Sequence, residues 1–116
     1  MASEIQVCEF LKEINGLENC FISEYGNVYK RHGANFRRLK FWDNPYRAIS
    51  ISIRHKNERP KFLVKRLVAT HFVPNSDSSK TCVINSDGNK YNNHYSNLRW
   101  VTLKEAVSSN GLGKTY

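Results

Sequence analysis

Cys82-Val-Ile-Asn-Ser-Asp-Gly-Asn-Lys-Tyr-Asn-Asn-His-Tyr-Ser-Asn-Leu-Arg-Trp-Val-Thr102 is the stretch that decides how this chain folds. Residues 81–85 read as a β-strand and residues 98–101 as its partner. Between them lies a long loop rich in Asn and Gly. Asp87-Gly88 forms a turn pair, because glycine supplies positive φ and an aspartate side chain bonds its own backbone. Asn92, Asn93 and Asn97 suit such a loop, since asparagine tolerates left-handed turns and caps loop amides. Thr102 and Glu105 have the spacing of a capping box. A helix is expected from there to about residue 109, closing on Asn110-Gly111.

The chain upstream supplies further elements. Val64, Leu67, Val68, His71 and Phe72 fall at helical spacing, and a helix over 64–72 must stop before Pro74-Asn75. Ile49, Ile51 and Ile53 alternate with Ser50, Ser52 and Arg54, the period of a half-buried strand over 46–54. Residues 56–59 make a polar turn, and 61–64 return as the partner strand. Strands at 21–23 and 28–30 flank the turn Glu24-Tyr-Gly-Asn27. Ile5, Cys8, Leu11 and Ile14 lie at helical spacing, so a short helix is expected over 4–13.

The sequence of 116 residues suits one compact domain with an apolar content of 40%. No apolar run approaches the ~18 residues needed to span a membrane, and residues 1–13 lack the basic start of a signal peptide. Cys8, Cys20 and Cys82 are too widely spaced for a zinc ribbon; reduced thiols in a cytoplasmic protein are expected. The net charge of +8 is uneven. Residues 1–27 hold one Lys against five Glu, whereas residues 28–66 hold twelve Lys/Arg against Asp43 and Glu58. Tyr29, Phe36, Phe41, Trp42 and Tyr46 are interleaved with these cations. Such a block is the electrostatic footprint of a nucleic-acid binder, and it also suits an acidic protein partner.

The 82–102 stretch resembles the core of HNH nucleases, which usually reads Val-Asn-His-x-Asp-Gly, then Asn-Asn, then Asn-Leu-x-Trp-Val-Thr. Val83, Asp87-Gly88, Asn92-Asn93, Asn97-Leu98 and Trp100-Val101-Thr102 match. Residues 14–29 are similar to the small module that precedes HNH in phage homing endonucleases. Val64-Lys-Arg-Leu-Val-Ala-Thr-His-Phe72 resembles the linking helix, usually Val-His-Arg-Leu-Val-Ala-x-x-Phe. The resemblance covers residues 10–110. It implies an α+β fold: a small antiparallel module over 1–60 carrying the basic strands, then a ββα-metal core with its linking helix over 61–116.

The resemblance also implies where catalysis fails. The family's first-strand His is the general base, and its slot holds Asn85. A carboxamide has no basic lone pair near neutral pH. The two metal-ligand slots hold Ile84 and Ala106, which offer no donor to a hard cation. Lys65 replaces the His of the linking helix. Asn97, which in the family braces the loop carrying the base, is kept. His94 is the candidate for a displaced base, against the simpler reading of a surface loop residue. His32 and His55 sit in basic turns and suit phosphate, whereas His71 suits core packing.

The favoured function is therefore DNA binding without cleavage and without a cofactor. Phosphate contacts are expected from Arg31, Arg37, Arg38, Lys40, Arg47, Arg54, Lys56, Arg59 and Lys61. One alternative is a viral module that targets a host protein, RNA, the ribosome or another ribonucleoprotein. The other is an active Mg²⁺-dependent nickase with a rearranged site. The setting is the cytoplasm, of a bacterial host if a phage encodes the chain. Trp42 beside Phe41 is a candidate anchor: in a strand only one of the two faces the core, leaving the other to pack on a partner or stack on a base. The alternative is that both pack under the N-terminal module.

Overall fold

A computed structural model describes residues 9–43, 48–54 and 56–111, with side chains to residue 108. The described residues form an α+β structure. A four-stranded antiparallel sheet holds β1 (Leu11–Glu13), β2 (Cys20–Ser23), β3 (Val28–His32) and β4 (Asn35–Arg38) in chain order. A ribbon of β5 (Ser50–Ser52) and β6 (Lys61–Leu63) leads directly into α1 (Val64–Phe72). The hairpin β7 (Cys82–Asn85) and β8 (Leu98–Val101), with a single 3-10 turn over Tyr95–Asn97, precedes α2 (Leu103–Gly111).

The hairpin, the linking helix and the final helix lie where residue spacing places them. Thr102 caps α2 as expected: the Glu105 amide donates to Thr102 Oγ1 at 3.1 Å, and the Thr102 amide donates to Glu105 Oε1 at 2.9 Å. Ile51 of β5 and its neighbours Ile49 and Ile53 are all buried. Residue 64 opens α1 rather than closing β6, with its amide bonded to Ile49 O at 3.0 Å.

The N-terminal expectation fails where it can be compared. Residues 4–8 lie outside the described residues, and Leu11–Glu13 is a strand rather than the end of a helix. Leu11 pairs with Ser23 and Glu13 with Phe21. So short a helix is marginal in water, whereas the free edge of β2 offers ready backbone partners. Strand β4 was not expected. It pairs with β3 at Tyr29–Arg38 and Arg31–Phe36, and its sequence, Asn-Phe-Arg-Arg, carries no apolar alternation.

One buried cluster joins the parts. It includes Ile14 just after β1, Ile22 and Val28 from the first sheet, Ile51 from the ribbon, Val64 and Val68 from α1, and Val83 and Leu98 from the last hairpin. Thus β5 and β6 pair across position 60, and the core draws on both sides of it. The turn between β2 and β3 docks on the 92–95 loop. Gly26 (φ +92°) is required there: a Cβ would lie 3.0 Å from Asn93 Cβ and 3.2 Å from Val64 Cγ1. The Tyr95 amide closes the junction by donating to Glu24 O at 3.0 Å.

Candidate functional site

The loop between β7 and β8 is held by its own side chains. Asn97 Nδ2 donates to Asp87 Oδ1 and to Asn92 O, both at 2.9 Å, while its backbone O accepts from the Ser86 amide at 2.7 Å. Asn92 Nδ2 reaches Asp87 Oδ2 at 3.0 Å, and the Asn89 amide reaches Asp87 Oδ1 at 2.8 Å. These donors hold the Asp87 carboxyl below its ordinary value, Asn92 foremost, then Asn89 and Asn97. Asp87 also makes the expected turn with Gly88 (φ +76°), whose amide bonds Asn85 O. The asparagines do not act as left-handed residues. The described non-glycine residues with positive φ are Asn19 and Lys56, so Asn92, Asn93 and Asn97 serve through side-chain and backbone hydrogen bonds rather than through left-handed backbone.

Asn85 belongs to the same network. Its Nδ2 donates to Asn92 O and to Asn93 Oδ1, each at 2.8 Å. Both amide hydrogens are therefore spent on the loop, and the side chain braces it. Ile84 lies on the other face of the hairpin. Val83 enters the central cluster, Ile84 does not, and Ile84 is only 8% exposed. Alternation turns it toward α2, which packs on β7 and β8, where Ala106 is half-buried. Mg²⁺ prefers carboxylate, carbonyl and water oxygens. A buried isoleucine and an alanine side chain do not fit it. Among the described residues, no group of three or more His, Cys, Asp or Glu is gathered where it could hold a metal.

His94 is not a free surface imidazole. Its ring is half-buried between Tyr25 and Tyr95, with centroids at 4.5 and 4.6 Å. Its Nδ1 accepts from the Ser96 amide at 3.2 Å, so the lone pair a base would need is engaged within the 3-10 turn. His71 follows the expectation of packing. Its Nδ1 bonds Leu67 O at 2.8 Å and its Nε2 accepts from the Asn15 amide at 3.2 Å, tying α1 to the first sheet. Burial pushes the Lys65 ammonium below its ordinary value, with the nearby Cys82 opposing that shift.

The basic residues gather in two places. Arg31, Arg37, Arg38, Lys40, Arg54, Lys56, Arg59 and Lys61 are all exposed, whereas Arg47 and His55 lie outside the described residues. Cross-strand pairing puts Arg31 and Arg38 on one face of the β3–β4 ribbon, beside Phe21, Tyr29 and Phe36, and puts Lys30 and Arg37 on the other. Arg31 lies 5.4 Å from the Phe21 ring centroid, and Phe21 and Phe36 meet edge to face at 5.6 Å. His32 is exposed at the end of β3. The second group is the β5–β6 ribbon, whose outer face carries Arg54 and Lys61.

No family model matches the chain. Individual proteins do. It is 36% identical over 109 residues to "Uncharacterized HNH endonuclease L245" of Acanthamoeba polyphaga mimivirus, covering 90% of this chain and 32% of that one. It is 35% identical over 99 residues to "DNA endonuclease I-HmuI" of Bacillus phage SP01, covering 84% of this chain and 55% of that one. A solved structure described as "DNA binding and cleavage by the HNH homing endonuclease I-HmuI" superposes with a TM-score of 0.77 at 31% identity, over 92% of this chain and 60% of that one. The chain belongs to the HNH homing endonuclease family. It spans between about a third and three fifths of the length of these relatives. No helix among its described residues is long and apolar enough to cross a membrane.

Sequence reasoning alone missed one link in this HNH chain. Asp43 accepts from Lys90 Nζ at 2.9 Å and from Tyr91 OH at 3.0 Å, tying the segment before β5 to the β7–β8 loop. The partners are 47 and 48 positions apart, and no local pattern marks them. Beside Asp43, Trp42 forms an isolated bridge with Ser50 through amide–carbonyl bonds of 2.7 and 3.2 Å. Its ring is 59% exposed and Phe41 is 40% exposed. The alternative in which both rings pack under the N-terminal module is thereby excluded, and neither ring is a core residue.

Proposed function

We propose that this HNH homing-endonuclease relative binds duplex DNA through the basic face of residues 28–66 and does not cleave it. The observation that carries the reading is the fate of Asn85, whose amide hydrogens are both committed to Asn92 and Asn93. In the same hairpin, Ile84 is buried against a helix whose Ala106 offers no donor. The elements that would activate water and neutralise developing phosphate charge have been replaced by elements that hold the fold.

The β3–β4 ribbon supports the DNA reading. It is the edge half of the first sheet and carries exposed cations at Arg31, Arg37 and Arg38, a surface that suits the phosphates of a duplex. The similarity to the I-HmuI structure, which is one of DNA binding and cleavage, supports the ligand class. We take the site of action to be the cytoplasm, of a bacterial host if a phage encodes the chain.

The deciding experiment pairs two assays on pure protein. Plasmid incubated with Mg²⁺ or Mn²⁺ at neutral pH is expected to remain supercoiled. A labelled duplex is expected to bind with steep salt dependence, each neutralised phosphate contributing about −0.9 to the log–log slope, so that six contacts give about −5. Divalent-dependent nicking abolished by changing His94 or Asp87 refutes the inactive reading. A flat salt response refutes the phosphate-contact reading and favours a protein partner.

A further inference from the structure

The region around Trp42 holds an open pocket of about 450 Å³, lined by Trp42, Asp43, Ala48, Ser50, Lys61 and Leu63, with Phe62 at its base. Neither core packing nor the phosphate-contact reading accounts for it. Backbone pairing holds the strands that frame it. The Trp42 backbone is bonded on both sides to Ser50, so an exposed indole is presented from a rigid strand pair. Ser50 opposes Leu63 and Ser52 opposes Lys61, so pairing places Trp42, Ser50, Leu63 and Lys61 on the one outer face that also carries Arg54. Lys61 Nζ lies 5.5 Å from the Trp42 ring centroid. Asp43, the acid at the rim, is already paired with Lys90 at 2.9 Å.

We infer that this pocket is a stacking site for one unpaired nucleobase of a single-stranded or locally opened nucleic acid, with Lys61 taking the phosphate of the same nucleotide. The pocket asks for a flat, mostly apolar body attached to an anion. Its walls are an indole, an isoleucine-sized leucine side chain and an alanine methyl. The charge it offers a ligand is positive, from Lys61, because the Asp43 carboxylate is paired with Lys90. A base within an intact duplex has both faces covered by its neighbours and cannot offer one to the indole. A base free of its stack can, and every base has a π-face. Lys61 is exposed and long enough to leave the ring for a phosphate as the base takes its place.

The inference deepens the nucleic-acid reading above and rests on it, yet the two fail separately. The full chain has two tryptophans, and the second, Trp100, is half-buried with its indole N–H on Val73 O at 2.9 Å. Emission changes on adding ligand therefore report Trp42. The probes are a single-stranded oligothymidylate, inorganic polyphosphate of matched charge, and a blunt duplex. Oligothymidylate is expected to quench emission saturably, and polyphosphate to bind without quenching. Trp42→Ala is expected to weaken oligothymidylate binding by roughly 5- to 150-fold, the range for loss of one aromatic–base stack, while Trp42→Phe retains most of the affinity. Equal quenching by polyphosphate, no quenching by either, or unchanged oligothymidylate affinity in a folded Trp42→Ala chain overturns the stacking site. If that variant does not fold, the contrast between the two probes on the wild type decides alone. Duplex binding without oligothymidylate quenching removes this inference and leaves the proposed function standing. Quenching without salt-dependent duplex binding does the reverse.

Discussion

Replacing Asn85 with alanine should destabilise the loop between β7 and β8, and its cost follows from two bonds. Asn85 Nδ2 donates to Asn92 O and Asn93 Oδ1 at 2.8 Å each. Asn92 O keeps a second donor, Asn97 Nδ2 at 2.9 Å, so its loss is worth only about 0.5–1 kcal/mol. Asn93 is 7% exposed, and its Oδ1 would lose its donor away from water. An acceptor stranded in that way costs about 1–3 kcal/mol. Together these give about 1.5–4 kcal/mol, and for a domain of this size that lowers the melting temperature by about 6–16 °C. Calorimetry on wild type and Asn85→Ala measures the drop, and hydrogen exchange at the Ser86 and Asp87 amides locates it. Asn85→His should fall about halfway, because a neutral imidazole keeps one donor of the two. A drop of less than about 3 °C with unchanged exchange protection refutes the bracing role, since no combination of those terms is so small.

Gly26→Ala meets both a φ of +92° and a 3.0 Å contact with Asn93 Cβ, so a loss of about 2 kcal/mol or more is expected in urea melts, and an unchanged midpoint contradicts the docking of the two hairpins. Changing Arg37, Arg38 and Lys40 together to Ala should make the salt slope of duplex binding shallower by up to about 2.7, and an unaltered slope removes β4 from the interface. The Asp87 carboxyl is held low by Asn92, Asn89 and Asn97, so its contribution to stability is present above the ordinary carboxylate value and is lost as pH falls through the lower folded value. Urea midpoints followed between about pH 2 and pH 6 should therefore fall more steeply for wild type than for Asp87→Asn, and parallel curves count against the network. Ile84→Asp with Asn85→His and Ala106→Asn restores the missing donors; Mg²⁺ should raise the melting temperature of this triple variant, leave wild type unmoved, and permit nicking. A well-folded triple variant silent in both assays means the space for the ion has closed.

Much of the last fifty residues was legible because their signals are local. The alternation in 82–85 and 98–101, the spacing of Val64, Leu67, Val68 and Phe72, and the Thr102–Glu105 box all act within a few residues, and each formed as its spacing dictates. The Asp87-Gly88 turn is of the same kind. The first forty residues were less legible for the same reason inverted. Leu11–Glu13 has helical spacing yet pairs with β2, and Asn35–Arg38 has no strand pattern yet pairs with β3. Edge strands take their conformation from the neighbour whose backbone they satisfy, and that neighbour is not written in their own side chains.

The sequence by itself determined which functional groups stand in the family's catalytic slots. An amide at position 85 and hydrocarbon side chains at 84 and 106 lack a base and hard-cation donors in any fold, because those are properties of the functional groups. It also determined the concentration of positive charge in residues 28–66. Only the tertiary structure decided what the surviving groups do. It turned Asn85 inward as a brace, closed His94 between two tyrosines, and set cations on both faces of one ribbon. It also left Trp42 outside the core, beside an aspartate whose partners lie 47 and 48 positions away. Those outcomes depend on which backbone faces which across the chain, and hydrogen bonds and ring contacts between distant residues exist only once the core has brought them within a few ångströms.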